Sequence, residues 1–123
     1  MTTYRELVER SYSVIDEAVF GSYQGDYIFL VEGASNYGIV IAGYGSCTGC
    51  DALEAAVYGN AYSSGPDLAA LDSLAEELRN SAHFGTVDEL REYLLGKDGA
   101  LRWYYHEDGF REAIEGLLAK VSN

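Results

Sequence analysis

Apolar side chains recur along this chain at two periods, and the switches between them sketch the order α-β-β-α-α-α-β-α. Tyr4, Leu7, Val8, Ile15, Ala18 and Val19 fall at helical spacing, which predicts a helix over 3–20. Thr3 and Glu6 supply a capping box at its start and Gly21 a stop at its end. Asp26 to Glu32 and Tyr37 to Tyr44 are rich in aromatic and β-branched residues, which predicts two strands. The turn cluster Gly33-Ala34-Ser35-Asn36 between them is short, so the two form an antiparallel hairpin. The second strand is continuously apolar over Ile39-Val40-Ile41-Ala42, the signature of a strand covered on both faces. Its Gly38, Gly43 and Gly45 mark a bulge or a close backbone approach.

Residues 50–58 read as a short helix capped by Asp51 or Thr48. Pro66 takes the first position of the next helix, with Asp67 in its first turn. The apolar stripe of that helix is Leu68, Leu71, Leu74, Ala75, Leu78 and Ala82. Thr86 and Glu89 form a capping box for a helix carrying Leu90, Tyr93 and Leu94, closed by Gly96. Leu101 to His106 alternates as a third strand, with Leu101, Trp103 and Tyr105 on one face and Arg102, Tyr104 and His106 on the other. Asp108 caps a last helix whose stripe is Phe110, Ala113, Ile114, Leu117, Leu118 and Val121. The expected fold is α+β, one domain over 1–123: a small three-stranded antiparallel or mixed sheet packed with the N- and C-terminal helices.

Charge sharpens this picture. Eight basic and 20 acidic residues give a net charge of −12. Between Arg10 and Arg79 there is no Lys or Arg, while Asp16, Glu17, Asp26, Glu32, Asp51, Glu54, Asp67, Asp72, Glu76 and Glu77 all lie there. Such a balance excludes direct nucleic-acid binding, which needs cations against phosphate, and favours a protein partner with a basic surface. No apolar run reaches the ~20 residues of a membrane span. The N-terminus lacks the layout of a signal peptide, so the expected location is the cytoplasm and the two cysteines are read as reduced thiols.

Candidate chemistry centres on Cys47 and Cys50, spaced C-x-x-C where strand hands over to helix. Three readings compete. A thiol at a helix N-terminus has a depressed pKa and suits redox exchange, but no thioredoxin-like strand order surrounds it. With His83 and His106 the pair makes four candidate zinc ligands, at spacings that match no zinc-finger pattern. Meeting of those ligands would require the third strand to pair with the first. The third reading is structural, with the cysteines as small buried hydrophobes in a glycine-eased turn. A Cys–His hydrolase built on Cys47 lacks any family signature. No cofactor is called for, zinc being the alternative.

Eleven tyrosines offer a second candidate. Tyr23, Tyr37, Tyr58 and Tyr62 lie in or beside loops and, with Asp26, Asp51, Glu54, Asp67, Asp72, Glu76 and Glu77, make a candidate acidic, tyrosine-rich interaction surface. Tyr104 between Arg102 and His106 is a second patch.

The run Gly45-Ser46-Cys47-Thr48-Gly49-Cys50-Asp51 resembles the G-S-C-S-G-C-D motif of a recurring type of small uncharacterised bacteriophage protein, with Thr48 in place of Ser. Phe84-Gly-Thr-Val-Asp-Glu-Leu90 and Trp103-Tyr-Tyr-His106 are similar to further features of that type. The resemblance implies a phage origin and carries over no functional residue. The functional expectation is a non-enzymatic binding protein acting on a host or defence protein, as an inhibitor or nucleic-acid mimic. The alternatives are a zinc or thiol-redox protein, and a protein that sequesters a small ligand. An anionic ligand would require Arg79, Arg91, Arg102 and Arg111 to converge.

Overall fold

A sheet whose middle strands are apolar on both faces has to be covered on both, and this is how the chain folds. The computed structural model describes residues 2–22, 24–45, 51–58 and 65–122. Its elements run α1 (Tyr4–Glu9), β1 (Val14–Gly21), β2 (Gly25–Glu32), β3 (Tyr37–Tyr44), α2 (Ala52–Tyr58), α3 (Leu68–Asn80), β4 (His83–Gly85), α4 (Val87–Leu95), a 3₁₀ turn (Arg102–Tyr104) and α5 (Phe110–Leu118). The four strands are antiparallel in the order β1-β2-β3-β4. Phe29, Val31, Val40 and Ala42 point to one face and pack with α1, α2 and α3. Ile28, Leu30 and Ile39 point to the other and pack with α4, the 3₁₀ turn and α5. The α+β class and the hairpin of the second and third strands are as the sequence predicts; three strands and the α-β-β-α-α-α-β-α order are not.

Three corrections follow. The helix expected over 3–20 ends after one and a half turns, and Val14–Gly21 is instead a strand paired with β2. Val14, Ile15, Val19 and Phe20 favour the pleated state, and pairing with β2 decides between two periods that both fit the pattern. A register shift between Val14 and Asp16 marks a bulge, which disguises the period-two alternation. Gly21 therefore closes a strand rather than a helix, at φ +99° in the β1–β2 turn.

The expected strand at 101–106 is a 3₁₀ turn. Leu101 and Tyr104 are buried three residues apart while Trp103 is 52% exposed, the spacing of three residues per turn rather than two. The N–H of Tyr104 donates to the Leu101 carbonyl at 2.9 Å and that of Glu107 to the Tyr104 carbonyl at 2.9 Å. The fourth strand lies elsewhere, where His83, Phe84 and Gly85 pair with Ile39, Gly38 and Tyr37. The Phe84 ring occupies the space a side chain at Gly38 would fill, since a Cβ there would lie 2.6 Å from the ring. Gly38 thus marks the close approach of a side-chain ring, where the sequence suggested a bulge or an approach of backbone.

The helix starts are close to expectation. Thr3 accepts from the Glu6 N–H, and Thr86 and Glu89 form the full reciprocal box. Asp67 is the N-cap of α3, accepting from the Ala70 N–H at 3.0 Å, so Pro66 lies outside the helix. Gly109 at φ +82° takes the cap position of α5 expected for Asp108. The stripe of α5 is buried at Phe110, Ile114, Leu117 and Leu118, whereas Leu68 at the start of α3 is 69% exposed.

Gly38→Ala is expected to cost about 1–3 kcal/mol in urea unfolding, the range for overpacking. Combined with Phe84→Leu, the double variant is expected to cost less than the sum of the two single changes. Additive costs would show that the ring does not depend on the glycine.

Candidate functional site

Asp51 closes the strand-to-helix junction. It is the one buried charged side chain among the described residues, 7% exposed. One carboxylate oxygen, Oδ1, accepts from the Tyr4 hydroxyl at 2.8 Å and from the N–H groups of Leu53 and Glu54 at 2.9 and 3.1 Å. The other accepts from the Gly45 N–H at 2.9 Å. The carboxylate caps α2 as predicted, where helix-start N–H groups favour negative charge. It also ties α2 to α1 and to the end of β3. Burial first, then the bond to Asp51, pushes the Tyr4 hydroxyl well above the usual phenol range, so it stays a donor.

Beside this junction a cleft of about 570 Å³ opens between α1, the ends of the sheet and α2. Tyr27 lines it in contact with two further lining tyrosines, its ring centroid 5.6 Å from that of Tyr4 and 5.1 Å from that of Tyr44. The Tyr44 hydroxyl donates to the Phe20 carbonyl at 3.0 Å, reaching across Gly25. A Cβ at Gly25 would lie 2.8 Å from that hydroxyl, so only glycine admits the crossing. Arg5, Glu17 and Glu54 also line the cleft. The Arg5 guanidinium is bound to Glu17 at 2.7 Å and lies 3.6 Å from Glu9. Three carboxylates, those of Glu17, Asp51 and Glu54, thus face one already-paired cation.

The predicted site residues separate into groups. Cys47, Cys50, Tyr23 and Tyr62 lie outside the described residues, and of Tyr58 only the backbone, ending α2, is described. His83 is stacked on Tyr93 with centroids 3.9 Å apart, on β4. His106 follows the 3₁₀ turn and is exposed. Among the described residues His106 lies on no strand, so the strand pairing expected to bring it towards Cys47 is not formed. Among the described residues no group of three or more His, Cys, Asp or Glu side chains is arranged to hold a metal ion.

The interaction surface divides too. Asp67, Asp72, Glu76 and Glu77 stand exposed on α3, and Glu54 lies on α2, which packs against it. Asp51 is beneath the cleft. Tyr37 and Asp26 belong to the opposite face, where Tyr37 packs against the second core and Asp26 accepts from Tyr104 at 2.8 Å. Tyr104 is therefore a buried tie between the 3₁₀ turn and β2 rather than part of a surface patch. The four arginines do not form one site: Arg79 is on α3, Arg91 is bound to Asp88 and Glu115, and Arg102 and Arg111 lie over Trp103 and Tyr105.

The cleft brings in residues that the sequence alone did not single out: Tyr4, Arg5, Glu17, Tyr27 and Tyr44. The signal was partly present. Extending the hairpin register sets Gly25 opposite Tyr44 and Tyr27 opposite Ala42, on one face. Glu17 depends on β1, which the helix reading concealed. Comparison with protein-family models, with curated proteins and with solved structures gives no match. No helix of the described residues is long and apolar enough to cross a membrane.

Asp51→Ala is expected to cost about 3 kcal/mol in chemical unfolding, since it removes a cap and leaves the buried Tyr4 hydroxyl unpaired. Tyr4→Phe is expected to cost about 1 kcal/mol. Equal losses would show that the cap contributes nothing beyond the tyrosine bond.

A second prediction concerns alkaline pH. Burial, then the bond to Asp26 and its charge, push the Tyr104 hydroxyl up to about 12 from an ordinary value near 10. The folded state then holds a proton that the unfolded chain releases. The contribution is complete below about pH 10 and is lost as pH rises towards 12. The urea midpoint is expected to fall over that window, and to fall less steeply in Tyr104→Phe. An unchanged slope in the variant would remove Tyr104 as a cause.

Proposed function

We propose that this chain is a non-enzymatic binding protein whose partner is a protein with a basic surface. The observation that carries the reading is the helical layer on the first face of the sheet. There Asp67, Asp72, Glu76 and Glu77 of α3 are exposed beside Glu54 of α2, and among the described residues Arg10 alone forms an ion pair with any of them, to Asp72 at 2.9 Å. Surface ion pairs of this kind add little to stability, so their arrangement is free to serve association. A layer in which carboxylates outnumber Arg10 and Arg79 steers a basic surface towards it and raises the rate of encounter.

The resemblance to small phage proteins supports a host or defence protein as the partner, located in the host cytoplasm. Occupation of a basic site that otherwise holds nucleic acid would make the chain an inhibitor, its carboxylates standing where phosphates bind. A short duplex should then compete with it, because both neutralise the same cations.

The experiment is capture from host lysate on the immobilised chain, with the retained protein identified and then bound in purified form. The purified partner is expected to bind at 0.1 M salt and to be released at 1 M, where the screening length falls from ~10 to ~3 Å. Glu76→Lys with Glu77→Lys is expected to weaken binding at least tenfold while leaving the unfolding midpoint nearly unchanged, and duplex DNA to displace the chain. Binding indifferent both to salt and to the charge reversal would overturn the reading.

A further inference from the structure

The cleft between α1 and α2 has a chemistry more specific than the charge of the layer around it. Three tyrosines line it, Tyr27 in contact with Tyr4 and Tyr44. Its charged lining is three carboxylates against Arg5, and Arg5 is already engaged by Glu17 at 2.7 Å. An anion would meet repulsion here with no free cation to offset it. A wholly apolar ligand would strip water from the Glu54 carboxylate, which has no ion-pair partner among the described residues, at a large cost. A metal ion fits poorly too, because the Asp51 carboxylate is occupied by the Tyr4 hydroxyl and three backbone N–H groups. What remains is an organic cation with a flat face.

We infer that the cleft receives a guanidinium group, carried by an arginine side chain of the basic partner; this rests on the reading of the chain as a binder of such a partner. Guanidinium is planar and weakly hydrated, stacks on aromatic faces and pairs with carboxylates through its edge. The rings of Tyr27 and Tyr44 provide the face, and Glu54, with no ion-pair partner among the described residues, the carboxylate. The compact, strongly hydrated ammonium of lysine gains less from the rings. The fixed position of Tyr44, held by its hydroxyl on the Phe20 carbonyl at 3.0 Å, pre-orders the lining before the cation arrives.

The test titrates the intact chain with N-acetyl-arginine amide, and with its neutral citrulline counterpart, observed by NMR. The Tyr27 and Tyr44 rings and the amides of Leu53 and Glu54 report the cleft. The Trp103 indole and the amides of Glu76 and Glu77 serve as references within the molecule. Saturable shifts are expected at the cleft, with a dissociation constant on the order of 1 mM. The citrulline compound is expected to bind at least tenfold more weakly. Glu54→Gln, on the surface of α2, is expected to weaken arginine binding about threefold, and Tyr27→Leu about tenfold. If Tyr27→Leu fails to fold, Glu54→Gln still decides the matter. No saturation, an equal response to citrulline, or shifts centred on Glu76 and Glu77 would each overturn the inference. The two readings fail separately. A partner released by charge reversal on α3 but unaffected by Glu54→Gln and Tyr27→Leu leaves the binding reading standing and removes the cleft from it. Saturable arginine binding at the cleft, with no partner captured, supports the cation site and removes the reading of a protein partner.

Discussion

Strand β2 is the constraint on which the rest of this fold depends. Ile28, Phe29, Leu30 and Val31 are all buried, and they alternate between two cores. Neither core closes without the side chains this strand sends to it. Burying such side chains is worth roughly 1.5–3 kcal/mol each, and here the gain can be collected only if helices lie on both faces. The placement of α1, α2 and α3 on one side and α4 and α5 on the other follows from that requirement. The cleft follows in turn, because α1 and α2 leave the ends of the strands at Tyr27 and Tyr44 uncovered.

Much of this was legible in the sequence, for identifiable reasons. The helices α3, α4 and α5 carry strong 3.6-residue stripes, α4 has its expected capping box, and Asp51 was readable as one of two candidate caps of α2, the other being Thr48. The β2–β3 hairpin was legible because its turn is short and its strands are rich in β-branched and aromatic residues. The failures have one cause. Segments of four to eight residues fit more than one period, and partners distant in sequence decide between them. Val14–Gly21 becomes a strand because β2 offers it a ladder, and a bulge hides the alternation. Leu101 to Tyr104 becomes a 3₁₀ turn because Tyr104 reaches Asp26, 78 residues earlier.

The candidate site was less legible than the fold. Its acidic members were visible as a window without cations, but one-dimensional charge does not say which face a residue takes. Asp26 and Asp51 both came from that window and ended as internal ties to Tyr104 and Tyr4. In each case a carboxylate that looked like surface chemistry is joined to a tyrosine hydroxyl, that of Tyr104 from an expected surface patch and that of Tyr4 from an expected helical stripe. These pairings show how an acidic, tyrosine-rich composition can serve architecture as well as recognition. From that window Glu54, Glu17 and the α3 carboxylates keep their charge turned outward on the first face.

Strand β1 carries a consequence of its own. It borders the sheet, and a bordering strand offers its backbone to any other strand that arrives, including one from a newly made copy of the same chain. The bulge near Asp16 bends this border, and Asp16 and Glu17 place two adjacent carboxylates in it. Lys120 and Arg5 reach them only from the side, at 3.8 and 2.7 Å. Asp16 and Glu17 point to opposite faces of the sheet, so the border carries charge on both of them. The acidity of the chain thus extends to its open strand, where it sets charge against edge-to-edge pairing of two copies.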